Sequence, residues 1–226
     1  MSLNTRMRGR GSVRALTGLA VAGAFAGGSA VATDAAETQA TDQAYSNVSV
    51  AVRHHVLSGR SGVARGYVKP GKKGRAVWIQ ARREGSGWHR VARAKTSSKG
   101  RFDVTWRPSS IGHYDVRLVI PTTGGTERAS DGMTVYKASA ASWYGPGFYG
   151  NRTACGNTLS RGTLGVANKS LPCGTKVRLY YHGNAVTAPV IDRGPYAGNR
   201  EYDLTEETKN RLHFGSTGTV WSAPQS

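Results

Sequence analysis

The chain has 226 residues and carries 31 Lys and Arg against 13 Asp and Glu, a formal net charge of +18. Thirty glycines against four phenylalanines, with 38% hydrophobic residues, exclude a helix bundle and point to short strands joined by turns. The length admits two modest domains or one large β domain.

Residues 1–32 read as a signal peptide. Arg6, Arg8, Arg10 and Arg14 form the charged start, Leu16 to Phe25 a glycine-diluted apolar run, and Ala30-Val-Ala32 the small residues of a cleavage site. The run is too short for a membrane span, and no cysteine follows it to carry a lipid anchor. Export makes the expected location extracellular and wall-associated. Residues 33–45 hold three acids among Ala, Thr and Gln without periodicity, and read as a disordered spacer.

Residues 46–136 show repeated short alternations: Val48, Val50 and Val52; Val77 and Ile79 with Trp78 opposite; Phe102, Val104 and Trp106; Tyr114, Val116 and Leu118; Met133 and Val135. Turn signals fall between them, so about seven strands of a small β-sandwich are expected. The pattern loosely resembles bacterial immunoglobulin-like modules, with Tyr114 at the strand entry where such sandwiches often carry a tyrosine. Seventeen bases against five acids give this segment most of the excess charge. Lys72, Lys73, Arg75, Arg82, Arg83, Arg90, Arg93 and Lys95 are expected on one exposed face, either as an attachment patch for an anionic wall polymer or as a solvated surface. Nucleic acid would fit the charge but not an exported chain.

Lys137-Ala-Ser-Ala140 reads as a linker, and residues 141–226 as a second β domain. Strands are expected over 176–181 and 185–191 around the turn His182-Gly-Asn184. Thr205 as N-cap, Glu206 and Glu207 in the first turn, Lys209 and Arg211 near the end and Gly215 beyond predict one helix over 206–213. Cys155 and Cys173, 18 positions apart, admit either a disulfide in an oxidising compartment or two buried thiols. No Cys/His spacing reads as a metal site, and nothing indicates an organic cofactor.

Six motifs stand in order: Ala141-Ser-Trp-Tyr-Gly-Pro-Gly-Phe-Tyr-Gly150, Arg152-Thr-Ala154, Leu164-Gly-Val-Ala167, Leu171-Pro-Cys-Gly-Thr175, Ile191-Asp-Arg-Gly-Pro195 and Tyr202-Asp-Leu-Thr205. Together they closely resemble the RlpA-like (rare lipoprotein A) double-psi β-barrel, a more distant relative of the expansin barrel. The resemblance implies a six-stranded barrel, so that with the sandwich and helix read above the chain is expected to be all-β: an Ig-like sandwich followed by a double-psi barrel with one short helix. It implies a shallow groove with peptidoglycan glycan strands as ligand. Some members are lytic transglycosylases that cleave the MurNAc–GlcNAc bond and leave a 1,6-anhydro end. Expansin relatives loosen walls without hydrolysis. The Cys155–Cys173 pair looks like the disulfide of secreted actinobacterial members.

Carried over residue by residue, the family's acid/base carboxylate matches Asp192, with Asp203 as electrostatic support. Where catalytic members carry a Glu and a His, this chain has Asn157 and Asn168. These asparagines, with Tyr144, Phe148, Tyr149 and Arg193, are the expected glycan-binding residues. Each has a plainer reading: Asp192 capping its own turn, Asp203 starting a helix, the aromatics in the core, Arg193 bracing the turn. Three functions remain open: a transglycosylase, a non-catalytic expansin-like glycan binder, and a module that recruits a muralytic protein partner.

Overall fold

A computed structural model describes residues 43–45, 48–83, 85–108, 110–122 and 125–225. The expected signal peptide and residues 33–42 of the expected spacer lie outside the described residues.

The first strands run β1 (Gln43–Tyr45), β2 (Val48–Val52), β3 (His55–Leu57), β4 (Gly62–Val68), β5 (Ala76–Arg83), β6 (His89–Lys95), β7 (Arg101–Trp106), β8 (Gly112–Thr122) and β9 (Gly125–Tyr144). Residues 43–45, expected at the end of the spacer, instead pair with β2. One sheet is β1-β2-β4-β7; the other places β6, β5, β8 and β9 in order, with β3 beside β9. Period-two alternation decides which side chains meet between the sheets. β5 buries Val77, Ile79 and Ala81 and turns Trp78 and Gln80 outward. Val68, Phe102 and Val104 from the first sheet join Val77, Ile79, Leu118 and Val135 from the second in one apolar core. The Tyr114 hydroxyl donates to the Ser110 carbonyl at 3.0 Å, tying the start of β8 back to its entry loop as sandwich tyrosines do.

The remaining elements are β10 (Val166–Ala167), β11 (Lys176–Tyr181), β12 (Asn184–Asp192), β13 (Tyr202–Thr205), α1 (Glu206–Leu212) and β14 (Thr217–Pro224). With the end of β9 they form a six-stranded ring, β13-β10-β12-β11-β14-β9, closed by β9 pairing with β13. Two contacts in the ring are parallel, β10 with β12 and β13 with β9; the others are antiparallel. Val166, Val177, Leu179, Val190, Leu204 and Val220 fill the interior.

The residues expected as a linker, 137–140, are strand instead. β9 runs 20 residues from the sandwich sheet into the barrel, and Ala138, Ser139 and Ala140 pair with β14. Small side chains suit this passage, because Ser139 is buried between strands with its Oγ 2.7 Å from Ser222 Oγ. A run without large apolar residues looks like a linker while forming the barrel's first strand.

Helix α1 starts as expected. Thr205 caps it by accepting from the Thr208 N–H, and His213, at φ 52°, ends it in the left-handed conformation. The hydroxyls of buried Thr205 and Thr208 both accept from the Gly165 N–H, at 3.2 and 3.0 Å, which ties the helix to the loop before β10. A side chain at residue 165 would meet Ile191 at 2.5 Å, so only glycine fits there.

Candidate functional site

The ends of β9, β12 and β13 converge on an open groove of about 290 Å³. The parallel ladder places Asp203 and Thr205 beside Ser142 and Tyr144, and Asp192 ends β12 beside Ala167 of β10. Barrel closure, rather than proximity in sequence, brings Tyr144, Asp192 and Asp203 to one wall. Phe148, Arg193 and Tyr196 also line it.

The Asp192 carboxylate accepts through Oδ1 from the Ala154 and Arg193 N–H groups, each at 2.8 Å. Its second oxygen has no aligned protein donor among the described residues, so a ligand can use it. Asp203 is half-buried and accepts from the Ser142 hydroxyl at 2.6 Å. Burial raises its pKa; the Ser142 hydrogen bond and the Arg200 charge oppose this, and the Asp192 charge adds to it. The Tyr144 pKa is raised as well, by burial first and then by the charge and proximity of Asp192. Its hydroxyl is buried and completes no aligned hydrogen bond in the protein. The buried hydroxyl thus stands next to both carboxylates, where it can donate to either one or to a ligand.

Two aromatic rings stand at the groove. Phe148 is 56% exposed, its ring edge-on to Tyr144 at 6.2 Å, and Tyr196 is 81% exposed. Exposed rings on a Gly/Pro-rich loop offer flat apolar faces to a ligand. Tyr196 was not among the expected residues, although it directly follows the Asp-Arg-Gly-Pro turn. Arg152 and Thr153, from the second of the six motifs, and Leu159 also line the groove, although none is among the expected glycan-binding residues. They come from the loop between Gly150 and Ser160, which folds back on itself through the Leu159 N–H to the Asn151 carbonyl.

Three expected residues are placed elsewhere. Asn168 does not line the groove: it is 4% exposed, and its amide holds backbone. Nδ2 donates to the Glu201 carbonyl at 3.1 Å, and Oδ1 accepts from Ser170 and Leu171 at 3.0 and 2.8 Å. Asn157 is exposed in the same 150–160 loop but is not part of the groove lining. Tyr149 turns away to donate to Glu206 at the start of α1, and that hydrogen bond, ahead of burial, raises its pKa. Arg193 lines the groove but mainly braces it. Nη1 donates to the Asn168 and Leu171 carbonyls at 3.2 and 2.9 Å, and Nη2 reaches Cys173 Sγ at 3.3 Å.

Cys155 and Cys173 form a disulfide with Cα atoms 5.7 Å apart. It fastens the loop that presents Ala154 to Asp192 onto the loop before β11. Among the described residues, no cluster of His, Cys, Asp and Glu could hold a metal ion, and no helix is long and apolar enough to cross a membrane.

A family model described as "Lytic transglycolase" matches residues 136–221. The chain is 39% identical over 84 residues to a probable endolytic peptidoglycan transglycosylase RlpA of Synechocystis, covering 36% of this chain and 26% of that protein. It is 37% identical over 118 residues to the endolytic peptidoglycan transglycosylase RlpA of Campylobacter jejuni, covering 51% and 39%. The Rickettsia felis protein of the same name is 30% identical over 135 residues, 58% of each chain. The matches thus span between 26% and 58% of these relatives' lengths. The closed six-stranded ring with its two parallel pairs, the six ordered motifs and these matches agree: over residues 136–221 the chain carries a double-psi β-barrel of the RlpA-like family.

Proposed function

We propose that this protein is a secreted wall protein that remodels peptidoglycan, cleaving the MurNAc–GlcNAc bond of glycan strands with a 1,6-anhydro product. The observation that carries the reading is the convergence of Asp192, Asp203 and the Tyr144 hydroxyl on one groove with aromatic walls. The names of the relatives, endolytic peptidoglycan transglycosylases, support the same substrate. In the proposed reaction Asp192, protonated, delivers its proton to the leaving glycosidic oxygen. As the sugar's own O6 closes on C1, the resulting carboxylate takes the C6 hydroxyl proton and the catalyst is restored. Asp203, on the same wall, supports Asp192 electrostatically. The positive sandwich favours an anionic envelope, and the disulfide fits an oxidising compartment outside the cytoplasm.

One observation favours a second reading, a glycan-binding module without cleavage. Neither Asn157 nor Asn168 lines the groove, so no imidazole or further carboxylate from these positions assists Asp192. Mass spectrometry of peptidoglycan, intact and stripped of stem peptides, separates the two. Anhydro-muropeptides released by the wild type and absent with Asp192→Asn are expected. Co-sedimentation of both proteins with the wall but no release leaves the binding module. Wall proteins captured without glycan affinity would leave a partner-recruiting role, with a muralytic enzyme as the partner to seek.

A further inference from the structure

The sandwich presents a face that the groove chemistry does not use. On the outward side of β5, Trp78 lies beside Arg93 of β6, Gln80 lies between Arg90 of β6 and Arg117 of β8, and Arg82 lies beside Asp115. The basic residues expected together therefore divide. Arg82, Arg90, Arg93 and Lys95 share this face, Arg83 alternates to the other side, and Lys72, Lys73 and Arg75 lie in the loop before β5. Arg117, 22 positions beyond the end of β6, joins them from β8.

Three of the cations on this face, Arg82, Arg90 and Arg117, are stacked on aromatic rings. The Arg90 guanidinium carbon lies 3.9 Å from the Trp78 ring centroid. Those of Arg117 and Arg82 lie 4.2 and 4.8 Å from the Trp88 centroid. Stacking engages the flat face of a guanidinium and leaves its in-plane N–H groups for other acceptors. Arg82 uses its N–H on Asp115 at 2.8 Å and Arg117 uses its own on Gln80 at 2.7 Å. Among the described residues no acid pairs with Arg90, Arg93 or Lys95.

We propose that the outward β6-β5-β8 face binds a linear polyol polymer linked by phosphodiesters. Strands about 4.8 Å apart and a rise of about 3.3 Å per residue set the cationic positions roughly 7–10 Å apart, a spacing that meets repeating anions rather than a single one. The forked guanidinium suits phosphate oxygens, and stacking has already fixed the Arg90 plane. Nucleic acid is the weaker fit. Both indoles already carry guanidinium partners, so neither is a bare platform on which single-stranded bases stack.

The test titrates the full chain against labelled poly(glycerol phosphate) at rising salt, with polyglutamate, single-stranded DNA and duplex DNA as competitors. Binding that weakens with salt is expected, with about a tenfold loss in Arg90→Gln/Arg93→Gln. Arg90→Lys keeps the charge but loses the fork, and is expected to lose several-fold. Arg65→Gln/Arg101→Gln removes the same charge from exposed positions on the other sheet and should change binding less than about twofold. Equal losses in the two double variants, or polyglutamate or either DNA competing as well as the glycerol phosphate polymer, would overturn the proposal. Affinity for phosphate-free glycan strands reads the groove alone. It should be unchanged in Arg90→Gln/Arg93→Gln, so failure of this face and failure of the glycan reading are separate results.

Discussion

The Ala154 N–H donates to Asp192 Oδ1 at 2.8 Å, joining residues 38 positions apart across the groove. The same oxygen accepts from the Arg193 N–H. Asp192 is therefore at once a turn cap and a candidate for proton transfer, and two substitutions separate the roles. Asparagine keeps an acceptor oxygen for both N–H groups, so Asp192→Asn should melt within a few degrees of wild type while release of anhydro-muropeptides falls by about 10²–10⁴. Alanine removes the acceptor of both hydrogen bonds and should cost about 1–2 kcal/mol in addition. Asparagine that retains release would remove Asp192 from the chemistry.

Asn168 makes three hydrogen bonds to backbone groups from a buried position. Asn168→Ala strands the Glu201 carbonyl and two N–H groups, and should cost about 2–4 kcal/mol in urea unfolding. Asn168→His introduces the imidazole that the family resemblance implies for catalytic members, but it cannot reproduce one donor and two accepted bonds in the same small space. A comparable loss of stability with no gain in release is expected. An Asn168→His protein that is stable and more active would show that the position faces substrate after all.

Much of this was readable in advance because it is local. Val77 and Ile79 inside with Trp78 outside is a period-two pattern, and the caps of α1 are set by Thr205 and the turn after Leu212. The β11–β12 hairpin follows from its turn at His182-Gly183. What escaped is non-local. Nothing in Tyr202–Thr205 announces that it closes the ring beside residues 141–144. The polar character of Asn168 suggests a groove, and only the chain 33 residues on, at Glu201, explains its burial. The stacking of Arg117 on Trp88 likewise depends on the β5–β6 turn and β8, apart in sequence, meeting across β5.

The disulfide holds the Ala154 loop, and Arg193 lies between Cys173 and the carbonyls of Asn168 and Leu171. Replacing both cysteines by alanine should cost about 3 kcal/mol by freeing the unfolded chain. It should also weaken glycan binding, because the donor to Asp192 is the residue next to Cys155. Thermal unfolding and glycan co-sedimentation, with and without dithiothreitol, check both effects. Reductant that lowers stability but leaves binding intact would mean that the groove does not depend on the bridge.

Where β3 and β9 of the sandwich meet the barrel, His55 stacks on Tyr180 at 4.4 Å and shares a 2.8 Å hydrogen bond with the Tyr136 hydroxyl. Tyr136 and Tyr180 are buried with Ala223, and Trp221 packs against them. Burial, helped by electrostatic repulsion from neighbouring His54 and Arg178, lowers the His55 pKa from 6.5 to about 4, while burial pushes Tyr136 up to about 12. The neutral pair is thus the native form. Below about pH 6.5 the unfolded chain takes up a proton that folded His55 refuses, so this contribution to stability is full above that pH. It is lost as pH falls towards about 4. Allowing for the partial exposure of the ring, the loss should be on the order of 1–2 kcal/mol. His54, paired with Asp131 at 3.0 Å, is present in both proteins, so comparison with His55→Gln isolates the His55 share. Urea unfolding at pH 7.5 and pH 4.5 should show a smaller drop in His55→Gln than in wild type. Equal drops would place the acid sensitivity elsewhere.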